Sequence, residues 1–133
     1  MSSASAATTE KTRSVLSKLY VAVVGGDAES AISCMHPQVE VEEPAHLPFG
    51  GVYRGLDGMG KVLGMVSRYL NLQELTVNTL IADGENGLAI VTVPMREEGT
   101  DVVVIAEHWQ LQDGLIARGK IFVFDPSPIL QSA

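Results

Sequence analysis

The sequence predicts one α+β domain in which helices precede a run of β-strands. In the first half of the chain, apolar residues recur at three- and four-residue steps, as in amphipathic helices. From Leu75 onward the apolar period changes to two, which is typical of strands. Helices gathered before strands indicate α+β rather than a parallel α/β fold. The length of 133 residues suits a single domain.

Three helices are expected before the strands. They span Thr9–Val24, Ala28–Met35 and Gly58–Leu70. The first has an apolar stripe of Val15, Leu16, Leu19, Tyr20 and Val23. Gly25 and Gly26 should end it, because glycine adopts the left-handed cap conformation at low cost. Asp27 and Asp57 are suitable N-caps for the second and third helices, and Pro37 should end the second.

The strands should form an antiparallel meander. A short strand is expected at Val39–Glu43, followed by a loop rich in Pro and Gly as far as Tyr53. Four longer strands are expected at Leu75–Ala82, Leu88–Arg96, Val102–Leu111 and Ile116–Phe124. The hairpin turns between them are Asp83-Gly84, Glu98-Gly99 and Asp113-Gly114. A long twisted sheet of this kind can curl around a helix and leave a half-open pocket.

Composition excludes several classes of partner. The net charge is −7 and the nine Lys and Arg residues are dispersed, which disfavours nucleic acid and anionic membranes. The single cysteine, Cys34, allows no internal disulfide, and no spacing suggests a metal or cofactor site. We expect a disordered tail over residues 1–8, a domain over 9–128 and a C-terminal tail over 129–133. With neither a signal sequence nor a membrane span expected, the protein should be cytoplasmic.

Carboxylates on apolar strand faces are the main candidates for chemistry. Glu107 interrupts the apolar face that comprises Val103, Ile105, Trp109 and Leu111. A carboxylate among apolar side chains loses solvation when ionised, so its pKa should rise. Two alternatives are that Glu107 pairs with Arg118 or Lys120 across the hairpin, or that this face is exposed to solvent.

Three further side chains are candidates beside that face. Glu43 ends the Val39, Val41, Glu43 face at a loop, where a general base would be desolvated yet reachable, although an ordinary loop acid is the alternative. Tyr20 lies on the first helix's stripe and needs a hydrogen-bond partner if buried, either a backbone carbonyl or a substrate oxygen. His46 follows Glu43 by three residues and could overhang the pocket mouth.

Four segments resemble the SnoaL-like branch of the nuclear-transport-factor-2-like (NTF2-like) superfamily, which includes ketosteroid isomerases and polyketide cyclases. They are Leu19–Asp27, His36–Pro44, Gly51–Met59 and Ala106–Gly114, and together they reach across nearly the whole ordered chain. The resemblance implies a cone in which three N-terminal helices pack on a curved antiparallel sheet that encloses a pocket.

The resemblance to ketosteroid isomerase also implies roles for individual residues. Tyr20 takes the place of the oxyanion-hole tyrosine, Glu43 that of the aspartate base, and Glu107 that of the protonated aspartic acid, which in that enzyme stays neutral at pH 7. Both acids are Glu here rather than Asp, and the third-helix tyrosine is replaced by Leu63. The expected apolar substrate-binding set is Trp109, Val103, Ile105, Leu63, Phe49 and Ile121.

The implied function is a cofactor-independent isomerase or cyclase that acts on an apolar small molecule, in a polyketide-type pathway. Two alternatives stay open: an epoxide hydrolase or epoxide-opening cyclase, with Glu74 as a further acid, and a non-catalytic ligand-binding module. Phe122 and Phe124 have the opposite parity to Ile121 and Val123, so one face of the last strand needs cover. We therefore expect a homodimer through the outer face of the sheet.

Overall fold

The computed structural model describes residues 3–97, 99 and 101–133. The helices are α1 (Ser3–Val24), α2 (Ala28–Ser33), α3 (Gly55–Ser67), a 3₁₀ turn (Leu72–Glu74) and α4 (Ser127–Ser132). The strands are β1 (Met35–Glu43), β2 (Gly51–Arg54), β3 (Thr76–Asp83), β4 (Asn86–Pro94), β5 (Val102–Gln112) and β6 (Leu115–Val123). Helices packed on a curved, unclosed sheet confirm the α+β class.

The sheet is mixed, with strand order β2-β1-β6-β5-β4-β3. The later strands form the expected antiparallel meander, and their bounds differ from the predicted ones by at most two residues. The expectation of a wholly antiparallel sheet was wrong, because β1 pairs with β6 in parallel. This pairing brings the end of β1 beside the centre of the sheet, where β5 and β6 lie.

The hairpin between β5 and β6 has the geometry that its residues favour. Asp113 and Gly114 both have positive φ, 54° and 76°, as a type I′ turn requires. Between β3 and β4 the turn residues are Gly84 and Glu85. The turn predicted at Glu98-Gly99 cannot be compared, because Glu98 lies outside the described residues.

Helix α1 begins at Ser3 rather than at Thr9, so the segment expected to be a disordered tail is helical from that residue. The alanines of this segment favour helix, and two threonines fix α1 against the β3–β4 turn. The Thr9 hydroxyl accepts a hydrogen bond from Gly84 N at 2.8 Å, and the Thr12 hydroxyl donates to Gly84 O at 2.7 Å. Met1 and Ser2 lie outside the described residues.

The C-terminal segment 129–133, expected to be a tail, instead belongs largely to α4. Ile129 is fully buried in the core, and its burial holds the helix on the domain.

The turns around α2 and α3 also differ from the predictions. Helix α2 ends at Ser33, and Pro37 lies within β1 rather than ending a helix. Proline is tolerated there because the β1–β6 ladder is interrupted between Met35 and Glu40. Helix α3 begins at Gly55, so Asp57 lies in its first turn and is not the N-cap.

The helices cover the two sides of the sheet's inner face and leave its middle open. Helix α1 packs on β3 and β4, whereas α3 packs on β1 and β2. The central strands β5 and β6 therefore face the space between the two helices. Among the described residues, no helix is long and apolar enough to span a membrane.

Candidate active site

A cavity of about 60 Å³ lies between α1, α3 and the inner face of the sheet. Three of its lining side chains are ionisable, namely Tyr20, Glu43 and Glu107, and the rest of its wall is apolar apart from the indole N–H of Trp109. The lining is completed by Leu19, Val23, Val41, Met59, Val62, Leu63, Val66, Leu72, Leu75, Trp109 and Ile121. The two acids and the phenol that were singled out from the sequence thus share one mainly apolar space.

A chain of hydrogen bonds runs along one wall of this cavity. The Trp109 indole Nε1–H donates to Tyr20 Oη at 2.8 Å, and Tyr20 Oη–H donates to Glu107 Oε1 at 2.5 Å. Tyr20 and Trp109 are 5% and 4% exposed. The partner of Tyr20 is therefore a side-chain carboxyl rather than a backbone carbonyl. Charge-assisted hydrogen bonds of this length are among the stronger ones in proteins.

Glycines on the two strands that flank β5 leave room for large side chains on the inner face of the sheet. The β4 and β6 partners of Trp109 are Gly87 and Gly119. A Cβ on Gly119 would lie 2.3 Å from Trp109 Cζ3, so the indole occupies the space that a side chain would need. Gly87 similarly makes room for Leu16 of α1, since its Cβ would lie 2.1 Å from Leu16 Cδ1. Gly119 thus leaves room for the indole, whose N–H donates to Tyr20 Oη.

Glu43 reaches the cavity from the end of β1. The burial of Val39 and Val41, with Glu42 exposed, confirms the predicted alternation of faces. Glu43 follows the Glu42–Lys120 pair, at the level of Ile121 on β6 and of Glu107 on β5. Two strand spacings separate the Glu43 and Glu107 backbones, roughly 10 Å. Both side chains lie on the inner face of the sheet and line the same cavity.

The surroundings of the two acids differ. Glu43 is 7% exposed, and its carboxyl has no hydrogen-bond partner among the described residues. Glu107 keeps partial exposure, lines the cavity and accepts the Tyr20 hydrogen bond. An ionised carboxylate is favoured where a donor faces it and disfavoured where none does.

Burial shifts the pKa values of all three ionisable groups. Loss of hydration, assisted by the charge on Glu107, raises the pKa of Glu43 to about 8. Loss of hydration also raises the pKa of Glu107 to about 7, although the Tyr20 hydrogen bond opposes the rise. Burial and the neighbouring Glu107 hold the pKa of Tyr20 well above its ordinary value. Near neutral pH the two carboxyls therefore hold a proton between them that exposed acids would have lost.

Such a pair contains both an acid and a base at the pH of a cell. The protonated carboxyl can donate to an oxygen, and the ionised one can remove a proton from carbon. Few waters fit in the cavity, which strengthens electrostatic interactions inside it. This arrangement suits proton transfer without a metal or cofactor.

The structure also locates the remaining residues of the sequence prediction. Trp109, Leu63 and Ile121 line the cavity, as expected of substrate-binding residues. Val103, Ile105 and Phe49 are buried in the core and do not line it. The Phe49 ring instead contacts that of Tyr69, at 5.8 Å between centroids.

Two further candidates lie away from the cavity. His46 is exposed, because the turn that carries it buries Leu47 instead. Glu74 is exposed on the 3₁₀ turn, whose neighbours Leu72 and Leu75 supply the cavity wall.

The alternative partners of Glu107 lie on the other face of the sheet. Arg118 Nη2 is 3.9 Å from Glu40 Oε2, and Lys120 Nζ lies over the Phe122 ring. Pairing of Glu107 with either cation is therefore excluded by the parity of the strands.

Sequence reasoning missed most of the wall that α3 contributes. Met59, Val62 and Val66 line the cavity with Leu63, at helical spacing. Their three- and four-residue steps were a signal, but the sequence alone could not show which helix faces the acids. Among the residues that the structure describes, no cluster of three metal-ligating side chains is present.

Comparisons with known proteins agree on the fold. The sequence profile of the SnoaL-like domain matches residues 16–119. TerC, co-crystallised with polyporic acid, has 20% identity and a TM-score of 0.78, with 91% of this chain and 96% of TerC covered. A ketosteroid isomerase candidate from Kribbella flavida DSM 17836 has 23% identity and a TM-score of 0.69, covering 88% of this chain and 80% of that protein.

A third similar structure is Bal32a, from a soil-derived mobile gene cassette. It has 12% identity and a TM-score of 0.79, and 91% of this chain and 95% of Bal32a are covered. No curated protein matches this sequence significantly.

Proposed function

Because the chain belongs to the SnoaL-like domain family, we propose that it is a cofactor-independent isomerase or cyclase that relocates a proton within a small, mainly apolar molecule. The observation that carries this proposal is the pair of carboxyl groups in one mostly apolar cavity. Glu107 is hydrogen-bonded there, whereas Glu43 has no such partner among the described residues. A buried acid without a structural partner destabilises a fold, so the presence of Glu43 favours a role in chemistry.

In the resting site, Glu107 carries the negative charge and Glu43 keeps the proton. Tyr20 donates to Glu107 and is itself polarised by the Trp109 N–H, so charge is stabilised on Glu107. Glu43 lacks such a donor and is the less favourable place for charge. This assignment reverses the roles that the resemblance to ketosteroid isomerase implies.

For a β,γ-unsaturated ketone, the reaction has two proton transfers. The Glu107 carboxylate removes a proton from the carbon between the carbonyl and the alkene, and the electron pair delocalises into a dienolate. The Glu43 carboxylic acid donates a hydrogen bond to the dienolate oxygen while charge develops there. Glu107 then returns its proton to the γ-carbon, which gives the conjugated enone and restores the carboxylate.

The test is the conversion of 3-cyclohexen-1-one to 2-cyclohexen-1-one, followed by the ultraviolet absorbance of the enone. Glu43→Gln and Glu107→Gln should each lower kcat by about 10²- to 10⁴-fold, the usual contribution of a positioned acid or base. Glu40→Gln, on the opposite face of β1, is the matched control and should retain wild-type turnover. Wild-type turnover in both cavity variants would refute the proposal.

Opening of an epoxide is the second candidate, because it also needs one protonated and one ionised carboxyl. Glu43 would protonate the epoxide oxygen, while Glu107 would activate the water that attacks carbon. Cyclohexene oxide distinguishes the two reactions, since its hydrolysis gives a diol and requires no acidic C–H. Diol formation without any enone formation would favour this candidate.

A polyketide-type substrate is part of the proposal. Its support is the mainly apolar cavity and the similarity of the fold to TerC, whose structure was determined with polyporic acid. A non-catalytic binding module would bind such molecules without converting them. Tight binding with unchanged ligand after prolonged incubation would support that alternative instead.

We also propose that the chain forms a homodimer through the outer face of the sheet. That face exposes Phe124 at 87%, beside Phe122 and Val104. The same face also carries charges of both signs, including Glu40 and Arg118, as an interface between two identical copies requires.

Light scattering at micromolar concentration should give twice the chain mass, and Phe124→Ser should lower it. Val21→Ser removes an exposed apolar side chain from α1 and should leave the mass unchanged. A monomeric wild type would contradict the proposal.

A further inference from the structure

The inner cavity is too small to hold a polycyclic substrate by itself. Its volume is about 60 Å³, whereas pockets for drug-sized ligands usually measure roughly 300–1,000 Å³. A molecule larger than a small ring must therefore extend beyond the acids. The direction in which it extends depends on which part of the wall borders further empty space.

One part of the wall separates the cavity from a second space on the surface. Val23, Leu63 and Leu72 line both the inner cavity and a groove of about 300 Å³ between α2, α3 and the 3₁₀ turn. We call this space the outer groove. The three side chains are only partly buried. They pack against the edge of the core and form the partition between the two spaces.

The wall of the outer groove on α3 is formed partly by glycines. Gly60 and Gly64 are one helical turn apart and both line the groove. A Cβ built on Gly64 would meet no atom within 4 Å, so it would point into open space. Packing against the protein therefore does not require glycine at 64, although glycine is less favourable than alanine in a helix interior.

The far end of the outer groove carries a cation. The Arg96 guanidinium is fixed by donation from its Nε to Ser67 O at 2.5 Å. No carboxylate forms an ion pair with Arg96 within the part of the chain that the structure describes. A guanidinium has five N–H donors and suits a carboxylate or carbonyl oxygen.

We propose that the outer groove binds the remainder of the substrate, an elongated, mainly apolar molecule with a carboxylate or carbonyl oxygen at its far end. The reacting end lies between Glu43 and Glu107, the apolar body passes Leu63, and the terminal oxygen faces Arg96. This inference rests on the proposed function, because it takes the acid-lined cavity as the place of reaction.

The experiment uses three probes and measures their dissociation constants by calorimetry. Phenol reaches the inner cavity alone, 4-butylphenol adds an apolar tail, and 4-(4-hydroxyphenyl)butanoate adds a terminal carboxylate. Wild-type affinity should rise along the series, with a gain of about tenfold for the butyl tail, well within what burial of its methylene groups can supply. Equal affinity for phenol and the butanoate, or no binding of either, overturns the proposal.

Variants at the groove provide the second arm. Gly64→Phe should remove the gain from the tail and leave phenol binding unchanged, whereas Gly64→Ala, the matched control, should keep most of the gain. Arg96→Gln should remove only the gain from the carboxylate. The proposal would also be overturned if the Gly64→Phe variant bound the butanoate as tightly as the wild type does. A change in the oligomeric mass of this variant would overturn it too, because the groove would then be a contact between two copies of the chain.

The outcome is independent of turnover. Failure of 3-cyclohexen-1-one to react would refute the isomerase assignment and leave the dependence of affinity on ligand length intact. Conversely, turnover without a dependence of affinity on ligand length would support the isomerase assignment and refute substrate binding in the outer groove.

Discussion

The two faces of strand β1 carry glutamates in opposite circumstances. Glu40 lies on the outer face with its side chain 39% exposed, and its carboxylate is 3.0 Å from Arg54 Nε and 3.9 Å from Arg118 Nη2. Glu43, three residues later, points inward, is 7% exposed and has no cation near it among the described residues. The same side chain therefore serves as a solvated ion on one face and as a desolvated acid on the other.

The difference shows that Glu40 has little effect on the stability of the fold, whereas Glu43 lowers it and is therefore the acid that calls for a functional explanation. An exposed ion pair contributes little to stability, typically about 0–1 kcal/mol, but it costs little as well. A buried carboxyl without a donor opposes folding whenever it ionises. The comparison can be tested by removing each charge and measuring both stability and its dependence on pH.

The largest effect should come from Glu43→Gln. Because the folded-state pKa of Glu43 is raised to about 8, the wild type loses stability as pH rises above the ordinary carboxyl pKa and until it passes about 8. The variant avoids this cost and should be more stable at pH 7 by about 3 kcal/mol, taking 1.36 kcal/mol per pKa unit. Urea unfolding of both proteins between pH 5 and pH 9 measures this difference in the free energy of unfolding.

A gain in stability with a loss of turnover would identify an acid kept for function at the expense of the fold. At pH 5, close to the ordinary carboxyl pKa of the unfolded chain, the two proteins should differ much less. A constant difference across the pH range would contradict the raised pKa.

The next effect concerns the support of the hydrogen-bond chain. Gly119→Ala would place a Cβ against the Trp109 ring, and overpacking of this kind typically costs about 1–3 kcal/mol. The displaced indole should lose its bond to Tyr20, which shifts the Trp109 fluorescence and lowers turnover. Gly64→Ala is the matched control, because its Cβ meets open space and should leave both readouts unchanged.

Much of the site followed from sequence periodicity. The parity of β5 placed Glu107 with Trp109, and the stripe of α1 placed Tyr20 inward, because both patterns repeat over several turns or residue pairs. Tyr20 and Trp109 are buried, and both line the cavity together with Glu107. The stretch from Leu75 to Phe124 was predictable for the same reason, since alternating apolar residues and Gly-containing turns recur there.

The remaining features depend on long-range contacts that leave no local signal. The parallel pairing of β1 with β6 joins residues about eighty positions apart, and it places Glu43 two strands from Glu107. His46 was predicted at the pocket mouth from its spacing to Glu43, but the geometry of its turn directs the side chain outward. The proton distribution between the acids depends on which one Tyr20 faces, and that too is a tertiary contact.

A smaller effect is expected from Tyr20→Phe, which removes the donor to Glu107 and keeps the ring. The pKa of Glu107 should rise, since the hydrogen bond that favours its charged form is lost. The acidic limb of the kcat/KM profile should therefore move to higher pH, at a cost of about 1 kcal/mol in stability. The ¹³C shifts of labelled Glu carboxyls report the titration directly, and an unmoved Glu107 would contradict the assignment of charge.

The smallest effect should come from Glu40→Gln on the outer face. Removing the charge breaks contacts with two exposed arginines, so the free energy of unfolding should fall by less than about 1 kcal/mol, and less again in 1 M salt. If Glu40→Gln proved as consequential as Glu43→Gln, the two faces of β1 would not differ in the way that their burial indicates, and the assignment of function to the inner acid would lose its physical basis.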